Sequence, residues 1–494
     1  MFTIKQNWTI QQQDEALVIG LPSEKEYSAK LNEIDQTLKG HIAELIREGD
    51  ISTKVKAVTK IHTFGIMGAK RLYFVGLGKK DNITYESIRD CFGKAVQELS
   101  REKRESVGVL LDTFECSQIP LEKLAHALAE SVITASYKFD DYKEKSNERE
   151  RKITSINIYS NKGGLENGLA SGLAYGLGIN KARDLVNTPG NLMTPSHIAQ
   201  EAIEVAQKYN MEYEVLEQED LERLGMGLLL AVSKGSSEKP KLITVKYKGR
   251  ETWENVLCFV GKGVTFDSGG YSIKPAQNMH EMKGDMGGSA AVIGAMEVVG
   301  KLKPEANMMF VIPTCENLIN GSAMKPGDVF TSLSGKTVEV RNTDAEGRLI
   351  LGDAITYAKE QGANFIVDVA TLTGGVVVAL GDCTTGVMTN NEAFYKKVEA
   401  SAKSEGELVW LLPSFKPFKD MLKTSDVADL NNSTGRLGHA ITGGLFVGEF
   451  AGNTPWVHLD IAGTSYSSKS SPLGPKGATG VMVRTLSTLA RTFS

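Results

Sequence analysis

Short apolar runs alternate with helical periodicity along almost the whole chain, which restricts it to α/β architectures. In residues 1–160 the apolar runs are Ala16 to Leu21, Leu72 to Leu77, Val107 to Leu111 and Ile156 to Tyr159, with helical stretches at about 26 to 47, 84 to 102 and 120 to 137. They predict a smaller N-terminal α/β domain. It carries no clustered acids, Cys/His constellation or chemical glycine loop, so it reads as scaffold or assembly. Lys138 to Lys152 follows, dense in both signs of charge as a solvated linker is (Asp140, Asp141, Lys143, Glu144, Lys145, Glu148, Arg149, Glu150, Arg151). Residues 161–175 read as a linker helix region, where Gly164, Gly168, Gly172 and Gly176 form a small-residue ridge for close packing. Glu166, Asn167 and Asn180 leave its apolar part too short for a membrane helix pair. Asn187 to Asn191, with Pro195 soon after, breaks the chain into a loop. Residues 176–494 then read as a larger C-terminal α/β domain, with strand candidates at 242–247, 256–260, 308–312, 365–370, 384–388 and 456–461. Helices between several of them imply a mostly parallel or mixed sheet covered on both faces. A length of 494 residues agrees with two to three domains.

A net charge of -4 and a pI near 6.1 give no electrostatic footprint for nucleic acid or anionic membrane. The N-terminus, with Lys5, Gln11 to Gln13, Asp14 and Glu15, lacks the order of a signal peptide, and no apolar run approaches ~20 residues. Five scattered cysteines without a Cys-x-x-Cys pattern read as reduced thiols, and the expected location is cytoplasmic. None of the seven histidines is spaced to share a helical face with another, which removes the His-Glu-x-x-His metallopeptidases. A metal here would be held mainly by oxygen, as Mn²⁺, Mg²⁺ or Zn²⁺ can be.

In sheets of this kind ligands bind at the carboxyl ends of the strands, and there the acids gather. The stretch Arg341 to Leu349 places Asp344 and Glu346 two residues apart after the strand-like Lys336 to Val340. In an extended segment they would point the same way, and Arg348 would open the following helix beside them. A solvated turn with a Glu–Arg pair is the alternative. Strand 256–260 runs into Gly261 to Gly270, carrying Lys262 and Asp267, with Lys274 just beyond. A phosphate cradle is weighed against this and fails, because Phe266 stands where a dinucleotide fingerprint wants glycine and the Walker Gly-Lys-Ser/Thr is missing. Asp285 precedes a helix running to about Val299, where an N-cap is its ordinary reading. Four carboxylates at the strand-to-helix junctions of one sheet would repel unless cations sat among them, and four negative charges match two divalent ions.

The strings Val260 to Gly270, Met282 to Met286 and Asn342 to Leu349 resemble those of the leucyl aminopeptidase (cytosol aminopeptidase) family. Further similarity runs through Ala182 to Asn187, Pro313 to Asn317, Asp368 to Gly374 and His458 to Gly463, covering residues 175 to 494. The resemblance implies an enzyme that releases N-terminal, preferably Leu-like, residues from peptides with a free N-terminus. It implies two divalent metal ions, Mn²⁺ or Zn²⁺, held by Lys262, Asp267, Asp285, Asp344 and Glu346, which activate a water nucleophile. Lys262 could ligate only as a neutral amine, with its pKa depressed by the metal. Lys274 corresponds to a second electrophile, and Arg348 to the arginine that holds bicarbonate as a proton shuttle, a role suited to a site with no histidine base at hand. Met282, Thr371, Gly374 and Ala462 match the family's side-chain pocket. The resemblance also implies a homohexamer. A regulatory DNA-binding protein that keeps the aminopeptidase fold is the alternative, opposed by the acidic pI and the lack of a basic stripe. A two-metal phosphate-transfer enzyme fails on the missing glycine loop.

Overall fold

The computed structural model describes residues 1–24, 27–144 and 152–493. Of the charge-dense stretch, Lys145, Glu148, Arg149, Glu150 and Arg151 lie outside the described residues. The chain divides into two compact units, Met1–Leu177 with Lys469–Pro475, and Gly178–Ser468 with Lys476–Ser494. One helix, Glu166–Asn187, carries the chain from the first unit into the second, so the division falls inside a helix. The return of Lys469–Pro475 to the first unit has no local sequence signal. It is held there by Gln97, whose side-chain amide donates to the carbonyls of Ser471 and Pro472 at 2.8 and 3.1 Å.

The first unit contains a six-stranded sheet of β1 (Phe2–Lys5), β2 (Ala16–Pro22), β3 (Val58–His62), β4 (Arg71–Gly78), β5 (Ser106–Leu110) and β6 (Ser155–Tyr159). Its order is β1-β6-β5-β2-β4-β3, parallel except for β3. The sequence reading finds the four central strands and misses β1 and β3. Both are partly exposed edge strands, β1 only four residues long and ending in Lys5, β3 interrupted by Lys60, so they lack the apolar run of a strand covered on both faces. The helical stretch read at 26–47 is two helices, Ala29–Thr37 and His41–Glu48, broken where Lys39 and Gly40 turn left-handed. The glycine ridge does seat one helix on another. A Cβ at Gly168 or Gly172 would lie 2.2 Å from the carbonyl oxygens of Glu122 and His126 on the helix Leu121–Ala135. Gly164 precedes the helix and faces nothing.

The second unit is built on β7 (Glu212–Leu216), β8 (Lys241–Lys248), β9 (Leu257–Gly261), β10 (Gly263–Asp267), β11 (Asn307–Asn317), β12 (Val329–Thr331), β13 (Thr337–Glu339), β14 (Phe365–Ala370), β15 (Thr384–Thr389), β16 (Leu408–Leu411), β17 (Leu430–Asn431) and β18 (Trp456–Asp460). The main sheet runs β16-β15-β18-β14-β9-β11-β8-β7, with β10 added to β11, and β12, β13 and β17 form a small separate sheet. β9, β10, β11, β14 and β18 are mutually parallel, so their carboxyl ends open on one edge. β8 runs antiparallel to both β7 and β11, and β15 runs antiparallel to β18 but parallel to β16, which makes the sheet mixed. Cys258, Val260, Met309, Val311 and Ile366 pack with Leu349, Ile350, Ala354 and Ile355 of the helix Gly347–Glu360 in one core. The intervening Phe259 and Phe310 point to the opposite face and meet edge to face at 5.9 Å.

The helix Gly287–Leu302 lies so close to β14 that a Cβ on Gly288 would sit 2.0 Å from the Val369 carbonyl oxygen. Both sides of that contact are backbone and neither can rotate away. Gly288→Ala should therefore cost ~1–3 kcal/mol of stability by overpacking, read as a fall in the thermal midpoint. A gain, as helix propensity alone would give for Gly→Ala, would contradict the close approach.

Candidate metal centre

Five ionisable side chains from four separate segments meet at the carboxyl edge of the main sheet. Lys262 follows the end of β9, Asp267 closes β10, Asp285 follows a short turn of helix at Met279–Gly284, and Asp344 and Glu346 come from the segment between β13 and the helix Gly347–Glu360. Lys262 and Glu346 are 2 % and 1 % exposed. The Lys262 Nζ donates to Asp285 Oδ1 at 2.7 Å and to the Thr371 carbonyl at 2.8 Å, and lies 2.9 Å from Glu346 Oε1. Lys274 Nζ stands 2.7 Å from Asp267 Oδ2 and 2.6 Å from Asp344 Oδ1. Gly347 makes room for the first lysine, since a Cβ there would fall 2.4 Å from Lys262 Cε.

The route by which the acids converge differs from the strand argument. β13 stops at Glu339, and Asp344 sits in a turn in which its own N–H donates to Asn342 Oδ1 at 2.8 Å. Glu346 already has helical backbone angles. A turn, not period-two alternation, therefore brings the two carboxylates to one place. Asp285 is not an N-cap either. Met286 occupies that position, and Asp285 Oδ1 instead accepts from Lys262 Nζ and from Thr371 Oγ1 at 2.8 Å. The solvated Glu–Arg pair is also absent: Arg348 is 1 % exposed, and its guanidinium donates to the Asn432 carbonyl at 2.7 Å and to His439 Nε2 at 3.2 Å.

Burial and the neighbouring acids push the carboxyls of Asp267, Asp285 and Asp344 upward, while Lys262 and Lys274 hold Glu346 below its ordinary range against the effect of its burial. Burial by itself would lower both lysines, but the surrounding carboxylates raise them above the usual lysine value. Each ammonium thus serves as a counter-cation. Asp285 Oδ2 and Asp344 Oδ1 lie within ion-pair range of a lysine but outside hydrogen-bonding geometry, and Glu346 Oε2 also lacks a hydrogen-bond partner. Oxygens of Asp267, Asp344 and Glu346 come within 4.8 Å of one another. Buried oxygens with unused lone pairs, drawn together beside an amine, are a donor set that fits hard or borderline divalent cations. For Lys262 to join as a ligand its proton must leave, and a cation neutralising the same carboxylates would remove what raises its pKa.

These groups open on a cavity of about 300 Å³ that Lys274, Met282, Thr371, Gly374 and Ala462 also line. Arg348 alone among the sequence-derived residues does not line it. His439 does, which corrects the expectation of a site with no histidine at hand. Three further residues escape sequence reading because their partners are distant in the chain. Asn317 donates to Asp267 Oδ1 at 2.8 Å and to the Thr343 carbonyl at 3.0 Å, and Thr343 Oγ1 donates to the Gly269 carbonyl at 2.6 Å. Asn432, fully buried, accepts from the N–H groups of Arg341 and Asn342 and donates to the carbonyls of Asn342 and Ala345. Nothing in Leu430-Asn431-Asn432 announces that role.

The chain is similar to known proteins along almost all of its length. Residues 180–487 match the cytosol aminopeptidase family, catalytic domain, and residues 18–146 match the cytosol aminopeptidase family, N-terminal domain. The chain is 51% identical over 491 residues to a probable cytosol aminopeptidase of Bacillus subtilis, covering 99% of this chain and 98% of the relative. It is 50% identical over 482 residues to a probable cytosol aminopeptidase of Bacillus licheniformis, covering 97% of each. Among solved structures, a tomato leucine aminopeptidase mutant superposes with a TM-score of 0.88 at 31% identity, covering 99% of this chain and 96% of that one. The bottromycin maturation enzyme BotP in complex with Mn superposes with a TM-score of 0.86 at 31% identity, covering 97% and 99%.

Asn432→Ala should cost ~1–3 kcal/mol, because it strands the buried Ala345 carbonyl and removes three part-buried bonds to the backbone of Arg341 and Asn342. Chemical denaturation checks it. A loss under ~1 kcal/mol would mean that the turn holds its shape without this side chain.

Proposed function

The chain belongs to the cytosol aminopeptidase family, and from that premise we propose that it releases Leu-like residues from the free N-termini of peptides at a two-metal centre. The family and its relatives make it an aminopeptidase, a metallo-exopeptidase. The observation that carries the finer reading is the meeting of Lys262, Asp267, Asp285, Asp344 and Glu346 in one buried cluster with unsatisfied oxygens. These five side chains would hold the ions, for which the manganese in BotP favours Mn²⁺, with Zn²⁺ the other candidate. Bound there, the ions supply Lewis acidity and a water acidic enough to act as nucleophile near neutral pH.

The chain's own groups do the rest. Carboxylates around the cavity favour a basic α-amine over an amide nitrogen, and so select a free N-terminus. Met282, Thr371, Gly374 and Ala462 form the part of the cavity that would take the first side chain, and open space beside Gly374 leaves it room. Lys274, within 2.7 Å of Asp267 and Asp344, is placed to donate to an oxyanion developing beside them. Arg348 is the residue for a bicarbonate ion: its Nε–H is buried without an acceptor. Its guanidinium does not open on the cavity, so an anion would reach it past His439. A homohexamer in the cytoplasm belongs to the same reading by family likeness. Among the described residues no helix is long and apolar enough to cross a membrane. No observation favours the DNA-binding alternative.

Dialysis against a chelator should abolish hydrolysis of Leu-p-nitroanilide, and Mn²⁺ or Zn²⁺ should restore it. The N-acetylated substrate should be refused throughout. Full activity in chelator would sink the metal centre, and equal rates on the blocked substrate would sink the exopeptidase reading.

The two lysines should separate. Lys262→Met should lower metal content, because the amine is itself a ligand. Lys274→Met should keep its metals and its KM while kcat falls ~10²–10³-fold, as when a donor to the transition state is removed. Equal metal loss in both variants, or a wild-type kcat for Lys274→Met, would contradict this division.

A further inference from the structure

Arg348 and His439 form a pair of which only one member reaches the cavity. The guanidinium is 1 % exposed, held by the Asn432 carbonyl on one side and by His439 Nε2, 3.2 Å away, on the other. His439, the first residue of the helix His439–Ala451, lines the cavity together with Lys262, Lys274 and the carboxylates. An arginine nitrogen can only donate, so the ring nitrogen facing it must offer a lone pair. The ring proton is therefore fixed on Nδ1. A protonated ring would set two cations against each other. Burial, and then the guanidinium, push its pKa down to about 4. The Nδ1–H of this neutral ring has no partner among the described residues and is not enclosed by protein.

We propose that His439 is the hydrogen-bond donor through which Arg348 acts on the cavity: the guanidinium fixes the tautomer, and the ring presents Nδ1–H to an acceptor oxygen there. That oxygen belongs either to the substrate, as a main-chain carbonyl or carboxylate, or to a small free oxyanion such as bicarbonate. The inference deepens the aminopeptidase reading and rests on it for the identity of the acceptor. The tautomer and the pairing do not depend on that reading.

Two measurements test it on the full-length, metal-loaded protein. In a ¹⁵N-resolved histidine spectrum, with the resonance assigned by loss in His439→Gln, the ring should show Nδ1–H and a bare Nε2. An Nε2–H tautomer overturns the proposal whatever the enzyme does. In kinetics with Leu-p-nitroanilide, His439→Phe should stay folded, with its thermal midpoint lowered by the loss of the Arg348 acceptor, and lose about tenfold or more in kcat. His439→Gln, whose amide offers both an acceptor and a donor, should recover most of it. If the acceptor belongs to the substrate, the Phe variant is slow to the same degree with and without added bicarbonate. If it is a free oxyanion, bicarbonate stimulates the wild type and leaves the Phe variant unmoved. A folded Phe variant with wild-type kcat at both bicarbonate levels, or a Gln variant as slow as Phe, overturns the proposal. A metal-loaded wild type that releases no amino acid from any free peptide would instead remove the aminopeptidase reading while the spectrum still judges the pairing.

Discussion

Four carboxylates drawn together, three of them buried, repel one another unless positive charge is placed among them, and the second unit is arranged around that requirement. Lys262 and Lys274 meet it, each set between two acids at ion-pair distance. An unpaired buried charge costs several kcal/mol, so neither lysine could be removed lightly from a protein lacking other cations. The same arrangement is what a binding site for divalent ions needs. Two monovalent ammonium groups only partly offset four negative charges, which leaves oxygens on Asp285, Asp344 and Glu346 without hydrogen-bond partners. Cations of higher charge would use those oxygens.

The fold supplies the rigidity that such a cluster demands. Lys262 and Asp267 extend from parallel strands whose register is set by pairing with β11 and β14. Asp285 is fixed by the close contact of Gly288 with β14 and by the Thr371 hydroxyl. The Arg341–Glu346 turn has no ladder to hold it, and there buried amides take over: Asn432 grips it from one side, and Asn317 ties it to the Asp267 loop from the other. Metal-ligating carboxylates are oriented by such partners as much as by their own backbone. His439 and Arg348 extend the same logic outward, a buried guanidinium donating to the ring of a residue that lines the cavity.

Much of this was legible in the sequence where the signal is local. Buried strands announce themselves as apolar runs, so β8, β9, β14, β15 and β18 are read close to their true limits, and the octamer around Asp344 carries the family. β11, read as 308–312, in fact runs on to Asn317 through polar residues, and β10 is hidden in the glycine-rich stretch after β9. Edge strands such as β1, β3, β7 and β16 are not read, because their partly exposed residues dilute the pattern. The convergence of Asp344 and Glu346 was foreseen for the wrong physical reason: the alternation belongs to a strand that ends at Glu339, and an Asx-type turn does the work. Asn317, Asn432 and His439 were invisible for a deeper reason. Each acts on residues at least 26 positions away, as Asn317 does on Thr343, and no spacing rule connects them. The segment Lys469–Pro475, which rejoins the first unit, is likewise a tertiary fact without a local cause.

The acid cluster is expected to hold two divalent ions per chain. Inductively coupled plasma mass spectrometry of manganese-loaded protein, after removal of free metal, measures this directly on the wild type and on Glu346→Gln. Two ions per wild-type chain are expected, with fewer in the variant and its fold retained, since Glu346 lies at the centre of the cluster and its Oε2 has no other partner. A wild type that retains none, or a Glu346→Gln protein that keeps both ions and normal turnover, would contradict it.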